Sequence, residues 1–312
     1  MARAQGSRAL MALAFESTYG TPPASGFIQM PFATSGLGSE QPLIENELLG
    51  YGRDPLAPIK DAITSDGDVV LPVDVVGFGH WLKALFGAPV TTGTTPKVHT
   101  FASGGYALPS MSIEVGHPEV PRFDMYSGVV ANSLRIEATR RGQLQATINL
   151  VAQGSTPFGT TQAGTPAAIA LTRFGHFNCA ITRDGAPIGN IMSADFTYSN
   201  NLDRVETLRA DGKIEGADPT IASLTGTIRA RFSDTVLIDQ AVSGGACELA
   251  FTWSLGANAS LSFTAHSVFL PVPRRPVTGA AGIEVSFDFQ AARAASPARM
   301  CTAILTNTVA SY

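Results

Sequence analysis

The alternation of apolar and polar positions is clearest in residues 66–87, where a strand runs directly into a short helix. One face of the predicted strand is apolar, as in a half-buried strand, and carries Val69, Leu71 and Val73. The apolar positions then change to helical spacing at Val75, Phe78, Leu82 and Leu85. Asp74 is placed to cap this helix and Gly87 to end it. The pattern predicts a strand with one covering helix.

The same strand-helix pattern recurs in residues 225–245. Ile228, Ala230 and Phe232 alternate with polar residues, Ser233 or Asp234 can cap a short helix, and Gly244 follows it. Three landmarks recur at similar spacing: Gly67 and Gly226 are 159 residues apart, Asp74 and Asp234 are 160 apart, and Asp54-Pro55 and Asp218-Pro219 are 164 apart. The order of elements predicts a tandem duplication.

The remaining pattern is that of short strands separated by turns. The clearest prediction is a hairpin in which residues 134–138 and 144–150 flank the turn Arg140-Arg141-Gly142. A polar loop is predicted over residues 117–127. The other predicted strands are 27–34, 42–49, 98–102, 108–115, 174–182, 190–198, 248–255, 260–268 and 282–291.

These elements predict a mainly β fold, with a sandwich-like or barrel-like domain and one short flanking helix in each of two repeats. The predicted boundaries are an N-terminal arm at 1–26, a first domain at 27–154, a linker at 155–172, a second domain at 173–292 and a C-terminal tail at 293–312. The linker is assigned from its Gly, Thr and Pro content. The apolar N-terminal arm has two possible partners, a neighbouring subunit or its own domain.

Each predicted domain carries a long irregular segment with charges of both signs. Such segments are either solvated loops or arms that contact another subunit, and long irregular segments in compact domains are usually functional. The second interpretation predicts subunit or ring contacts at Glu45, Glu47, Arg53, Asp54, Arg204, Glu206, Arg209, Asp211, Glu215 and Asp218.

The composition narrows the choice of function. Only 15% of the 312 residues are charged, which suggests that neighbouring subunits cover part of the surface. The net charge of −4 argues against a general nucleic-acid binder, which needs a basic surface. Cys179, Cys247 and Cys301 form no CxxC pair and are expected to be small reduced core residues. No signal peptide or apolar run of membrane length is evident, so we expect synthesis in the cytoplasm and no membrane insertion.

The sequence offers little catalytic chemistry. It has no GxSxG, HExxH or phosphate-binding loop, and Gly77-Phe78-Gly79 lacks the third glycine of a dinucleotide site. The histidines occur singly, and a lone histidine beside strands is usually structural. Asp66 and Asp68 flank a glycine, where aspartate is common for local reasons. We therefore expect no enzyme activity, no cofactor and no metal.

Several consecutive segments resemble the tail tube proteins of long-tailed bacteriophages. They are GRDPLAPIKDAITSDGDVVLPVDVVGFGHWLKALFG, then HTF, LPSMSIEV and YSGVVANSLRIEATRRGQLQATINLVAQG. The resemblance covers residues 27–154 and reaches the remainder only through the proposed repeat. It depends on the order of elements, since none of these segments is chemically diagnostic.

The resemblance implies a structural virion protein whose strands join those of neighbouring subunits in a β-barrel ring. Rings stack into a hollow tube that guides the tape measure protein and later passes DNA, and terminator and distal tail proteins meet its ends. Family members with one domain form hexamers, so two domains per chain would give a pseudo-sixfold trimer. A lumen that passes DNA should be polar and not basic.

Two other classes remain open from the sequence. An outer-membrane barrel would also have alternating strands and a terminal aromatic residue such as Tyr312, but the missing signal peptide and the two apolar-faced helices argue against it. A β-sandwich that binds carbohydrate or another ligand would present exposed aromatic residues over a pocket. Trp81 and Trp253 lie in apolar patterns and are expected in the core instead.

Overall fold

The computed structural model describes residues 3–45, 47–276, 279–280 and 282–312. We call β1 to β13 the first half of the chain and β14 to β23 the second half. The strands of the first half are β1 (Leu10–Phe15), β2 (Ile28–Gln29), β3 (Thr34–Ser35), β4 (Gly38–Glu40), β5 (Leu43–Ile44), β6 (Ile59–Lys60), β7 (Thr64–Pro72), β8 (Val90–Thr92), β9 (Lys97–Ala102), β10 (Met111–His117), β11 (Arg122–Ala138), β12 (Gln145–Val151) and β13 (Gly154–Phe158).

The second half is built in the same way. Its strands are β14 (Cys179–Arg183), β15 (Ala186–Pro187), β16 (Ile191–Ser199), β17 (Leu202–Val205), β18 (Gly216–Pro219), β19 (Ser223–Arg231), β20 (Cys247–Gly256), β21 (Ala259–Phe269), β22 (Glu284–Ala291) and β23 (Cys301–Asn307). The helices are α1 (Phe78–Phe86) and α2 (Val236–Ser243), with short 3-10 turns at Gly6–Arg8 and His176–Asn178. The predicted mainly β fold with one short helix per half is confirmed.

One sheet, which we call sheet I, runs through both halves. It begins with β3 and β4, which both pair with β7, and continues in the order β7, β12, β11, β16, β19 and β22. All of these pairs are antiparallel, so one face can meet the core while the other faces solvent. Strand β11 supplies only its second part to sheet I. A register shift between Ala131 and Ser133 marks the change.

Two smaller sheets cover the apolar face of sheet I. In the first half, β2, β1, β10, the first part of β11 and β13 pair in that order. In the second half, which we call sheet II, the order is β14, β20, β21, β23, β9 and β8. Sheet II therefore includes β8 and β9 from the first half, held there by β23 at the end of the chain.

Aromatic side chains fill the space between sheet I and sheet II. The Phe196 ring of sheet I stacks on Phe263 of sheet II at 4.3 Å between centroids and lies 5.0 Å from Phe251. Trp81 and Trp253 are 2% and 0% exposed, so their predicted place in the core is confirmed. The Trp253 Nε1 atom has no hydrogen-bond partner among the described residues. Burial of aromatic surface on this scale is the main source of stability in such folds.

Both predicted strand-helix units are present, with one difference in how the first helix begins. Strand β7 precedes α1, and β19 precedes α2. The Asp74 side chain does not cap α1; it accepts the backbone N–H groups of Val76 and Gly77 at 3.0 and 2.6 Å in a turn before Phe78. Burial raises the pKa of the Asp74 carboxyl, against those N–H donors. Asp234 does receive the N–H of Val236, at 3.1 Å.

The pairing register of the first half recurs in the second half. Gly38 pairs with Asp66, and Thr197 pairs with Thr225, each 159 residues later. Likewise Leu43 pairs with Lys60, and Leu202 with Pro219, again 159 residues later. Strand order also matches, because β10, β11, β12 and β13 pair as β20, β21, β22 and β23 do.

This register corrects one of the three sequence landmarks. At a spacing of 159, Asp218 corresponds to Ile59, so Asp54-Pro55 and Asp218-Pro219 are not equivalent. Gly67 and Gly226 are equivalent. A Cβ on either glycine would enter the neighbouring backbone, at Gly36 and Leu37 in the first half and at Asp195 in the second. The spacing of 159 therefore comes from backbone geometry and not from turn composition.

Several predicted elements differ from those in the structure. The hairpin at β11 and β12 is confirmed, with Leu134 opposite Ile148. The predicted loop over residues 117–127 was wrong, because β10 and β11 extend into it. The predicted strands at 27–34 and 42–49 shrink to β2 with β3 and to β5, and Asn46 lies outside the described residues.

The predicted terminal and linker segments contain paired strands. The N-terminal segment supplies β1, which is buried against β10 of the same chain, and β13 begins just before the predicted linker. The predicted C-terminal tail supplies β23, which pairs on both sides. The division into two domains stays a prediction. Among the described residues, no helix is long and apolar enough to span a membrane.

The last residue anchors the start of α1. The Tyr312 hydroxyl donates to Val76 O at 2.8 Å and accepts from Asn307 Nδ2 at 2.6 Å. Its ring packs on Gly79 and forms edge contacts with His80 and His99 at 5.0 and 4.7 Å. Gly77-Phe78-Gly79 is therefore part of a packing contact.

The burial of His80 predicts a pH-dependent stability. Burial, assisted by the nearby Lys83 charge, lowers the pKa of His80 from 6.5 to about 4. Between these values the unfolded chain binds a proton that the folded chain does not, so we expect the free energy of unfolding to decrease as the pH falls from 6.5 to about 4. Urea unfolding from pH 4 to 8 measures this, and H80Q should flatten the slope in that window. An unchanged slope in H80Q would rule out His80 as the cause.

Candidate assembly surfaces

The two halves of the chain are joined by a strand ladder within sheet I. Strand β11 of the first half pairs with β16 of the second half from Ser133 opposite Ser199 to Ala138 opposite Ala194. The N–H of Asn200 extends the ladder by donating to Asn132 O at 2.7 Å. This intra-chain junction gives one half a neighbour without breaking the sheet.

The solvent face of sheet I is polar along its whole width. Cross-strand hydrogen bonds order it: Asn149 Nδ2 donates to Asp68 at 2.7 Å, and Thr227 Oγ1 donates to Asp288 at 2.8 Å. The acidic side chains on this face are Asp68, Glu137, Asp195, Glu284 and Asp288, and the basic ones are Arg135, Arg229 and Arg231. Acidic groups therefore outnumber basic groups, and the face has no basic track for phosphates.

The junction places charges of opposite sign near each other on this face. Asp195 lies near Arg135, across the ladder between β11 and β16. Burial raises the pKa of the Asp195 carboxyl, while the Arg135 charge opposes that shift. The sheet is thus polar and partly charge-compensated at the point where the halves meet.

Sheet I has two edges without a full ladder partner among the described residues. At one edge, which we call the head edge, residues 34–40 pair only with β7. Gly36 N donates to Asp68 O at 2.7 Å, and Ser39 Oγ lies 2.6 Å from Ser65 Oγ. This alternation directs the Ser39 N–H away from β7. At the other edge, the tail edge, β22 meets β21 only at Ala291 and Gln290.

Each half carries an arm of equal length, the first arm at residues 41–61 and the second arm at 200–220. The second arm lies against the first half of the same chain. Arg204 forms an ion pair with Asp66, and Ile63 N donates to Gly212 O at 2.8 Å. Gln153 Nε2 donates to Glu215 O at 3.3 Å. The second arm is therefore docked.

The first arm has no comparable support within the chain. Every described residue from Ser39 to Ala62 is exposed, whereas Leu202, Arg204 and Ala217 of the second arm are half-buried or buried. The exposed apolar side chains of the first arm include Leu43, Leu49, Tyr51 and Ile59. Such a run of exposed apolar residues is typical of an interaction surface.

The ten predicted contact residues fall on these two arms. Glu45, Glu47, Arg53 and Asp54 are exposed on the first arm, and Glu206, Glu215 and Asp218 are exposed on the second. Arg209 pairs with Asp211 at 2.9 Å, and that hydrogen-bonded pair lowers the pKa of the Asp211 carboxyl. Arg204 is used within the chain. Their role between subunits stays a prediction.

The sequence did not point to the head edge or to the tail edge. Ser35, Gly36 and Gly38 were read as part of an irregular segment, because glycine-rich residues weaken any strand pattern. The signal that could have located them is the equivalence of residues 32–40 with β16 at the spacing of Gly67 and Gly226.

Reactive groups do not converge on a catalytic arrangement in the described part of the chain. No group of three or more His, Cys, Asp or Glu side chains there could hold a metal ion. Cys247 and Cys301 are buried, as predicted, while Cys179 is half-buried, and burial raises the thiol pKa values to about 11, 12 and 11 respectively. His266 contacts Glu248 and Thr302, at 3.1 and 2.8 Å. These groups have structural contacts.

Comparison with known proteins gives one family. A family model described as "Phage tail tube protein" matches residues 6–291, which is nearly the whole chain. The match includes the intra-chain junction and both arms. Comparison with curated proteins finds no significant match.

Proposed function

The chain belongs to the phage tail tube protein family, and on that premise we propose that three copies close head to tail into a ring of six similar halves. The chain is a structural tail tube subunit. The observation that carries the proposal is the repeated strand register, in which partners recur 159 residues later. A duplicated subunit supplies two tube units, so three chains replace the six of a single-domain ring.

The intra-chain junction indicates how neighbouring copies would join. It brings β11, which follows β12 in sheet I, to β16, which precedes β19. By the repeat, the tail edge of one copy would meet residues 35–40 at the head edge of the next. Head-to-tail contacts of this kind generate rings when the rotation closes. They also cover the exposed strand edges that otherwise promote aggregation.

The polar face of sheet I is the proposed wall of the tube lumen. It is continuous across the junction, carries hydroxyl, amide and balanced charged groups, and has more acidic than basic side chains. A wall of this type would let DNA slide, because it does not hold the phosphate backbone. The apolar face is already buried against the smaller sheets and α1.

The remaining assignments follow from the family. The tube would lie in the virion tail after synthesis in the host cytoplasm, guide the tape measure protein, pass DNA during genome ejection and meet terminator and distal tail proteins at its ends. It would act without enzymatic activity. The ten charged arm residues are proposed contacts between subunits or rings. Leu49 and Leu208, equivalent arm positions that are 93% and 108% exposed, are further candidates.

Blocking the head edge tests the head-to-tail ring. We expect S39P to abolish ring formation, because proline removes the outward N–H and places its ring at the proposed ladder. The pairing with β7 is kept, since Gly38 and Glu40 carry it. Sedimentation velocity and negative-stain electron microscopy of the purified chain measure assembly.

The matched control is S39A, which loses the contact with Ser65 but keeps the outward N–H. We expect S39A to form rings like the unsubstituted chain. Rings of S39P with normal yield and size would contradict head-edge pairing.

A further inference from the structure

A wide groove lies on the second half at the base of the second arm. Its volume is about 850 Å³, and its wall includes Ile221, Ala222, Arg299 and Met300. Tyr106 and Ile221 at its border are 90% and 89% exposed. A groove of this size with exposed apolar walls is suited to a chain segment.

The equivalent place on the first half is filled. There a groove at the base of the first arm is lined by residues 60–65 and by residues 204–214 of the docked second arm. Ile63 is equivalent to Ala222 at the spacing of 159. Gly154 corresponds to Met300, because Gly154 lies opposite Ser127 as Met300 lies opposite His266. The groove on the second half is therefore the counterpart of an arm-binding site.

The docked arm identifies which first-arm residues would line up with the groove. Lys213 packs against Gly154, and Gln153 Nε2 holds Glu215 O. At the spacing of 159, Lys213 corresponds to Asp54. Gln153, next to Gly154, corresponds to Arg299, next to Met300. Asp54 would therefore lie beside Arg299.

The charges agree with this placement. Arg293 and Arg299 are the charged side chains of the groove wall, and neither has a carboxylate within ion-pair distance among the described residues. The first arm carries four acidic residues (Glu45, Glu47, Asp54, Asp61) and two basic ones (Arg53, Lys60). An acidic arm thus faces a basic groove, which favours correct pairing between copies.

We propose that the first arm of one copy docks into this groove on the second half of the neighbouring copy, with Asp54 paired to Arg299. The first arm would bury its exposed apolar side chains in trans, as the second arm does in cis. This inference rests on the proposed head-to-tail ring and adds a second contact to its strand ladder.

Charge reversal with rescue tests the proposal. We expect D54R and R299D each to raise the protein concentration needed for ring assembly about tenfold or more, because like charges would then face each other. The double variant D54R/R299D should restore assembly to near the original concentration. Sedimentation velocity over a concentration series measures this, and circular dichroism with thermal unfolding shows whether each monomer is folded.

The double variant is the matched control, since a change that merely damaged the fold would not be rescued by a second one. Normal ring assembly by both single variants would overturn the arm placement while leaving the ring and the tube assignment intact. Loss of assembly in the singles without rescue in the double would overturn the pairing of Asp54 with Arg299. Absence of rings in the unsubstituted chain would contradict both the arm placement and the ring.

Discussion

Replacing Gly226 with alanine is expected to lower the free energy of unfolding by about 3 kcal/mol, at the upper end of the range for overpacking in a core. A Cβ there would lie 2.6 Å from Phe289 Cζ and even closer to the backbone oxygen of Asp195. Backbone atoms in the middle of a sheet cannot move aside. G67A should have a similar effect, since its Cβ would lie 2.6 Å from Leu37 N and Gly67 has a φ of +153°. Urea unfolding measures both.

Gly159 provides the control for these two variants. Nothing lies within 4 Å of a Cβ built there, so G159A should be neutral or slightly stabilising. Equal stability of G226A and G159A would contradict the close strand approach. A large effect at only one of residues 67 and 226 would argue against their equivalence.

Replacing Tyr312 with alanine is expected to lower the free energy of unfolding by about 3 kcal/mol, near the value for aromatic truncation in a core. The variant loses the ring contacts with His80 and His99 and leaves Val76 O without its hydroxyl donor. Y312F keeps the ring and should lose about 1 kcal/mol. Thermal or urea unfolding measures both variants.

Tyr106 is the matched control, because its side chain is 90% exposed. Y106A should leave monomer stability within about 0.5 kcal/mol of the unsubstituted chain. If Y312A were as stable as Y106A, the C-terminal residue would not anchor α1 as the structure indicates.

Local patterns in the sequence predicted the elements whose periodicity is complete within a short window. The β11–β12 hairpin, the β20 and β21 strands and both helices follow from alternation or helical spacing over six to twelve residues. The equivalence of Gly67 and Gly226 also came from the sequence. The Asp-Pro landmark failed because aspartate and proline recur in turns for local reasons, independent of register.

The elements that the sequence did not predict depend on distant partners. Strand β23 is a strand because β21 and β9 flank it, and those partners are remote in sequence. The head edge is glycine-rich and has pairing on one side only. For the arms, the composition identified charged, irregular segments, but only the contact between Ile63 and Gly212 distinguishes the docked arm from the exposed one. Long-range pairing is what a local pattern cannot encode.

The most direct measurement of the central claim is the mass of purified rings, determined by native mass spectrometry and compared with the ring outline in electron micrographs of the same sample. The account predicts rings with a central hole, six similar lobes and the mass of three chains of 32.6 kDa each. Rings with the mass of six chains would contradict the claim that each chain supplies two tube units.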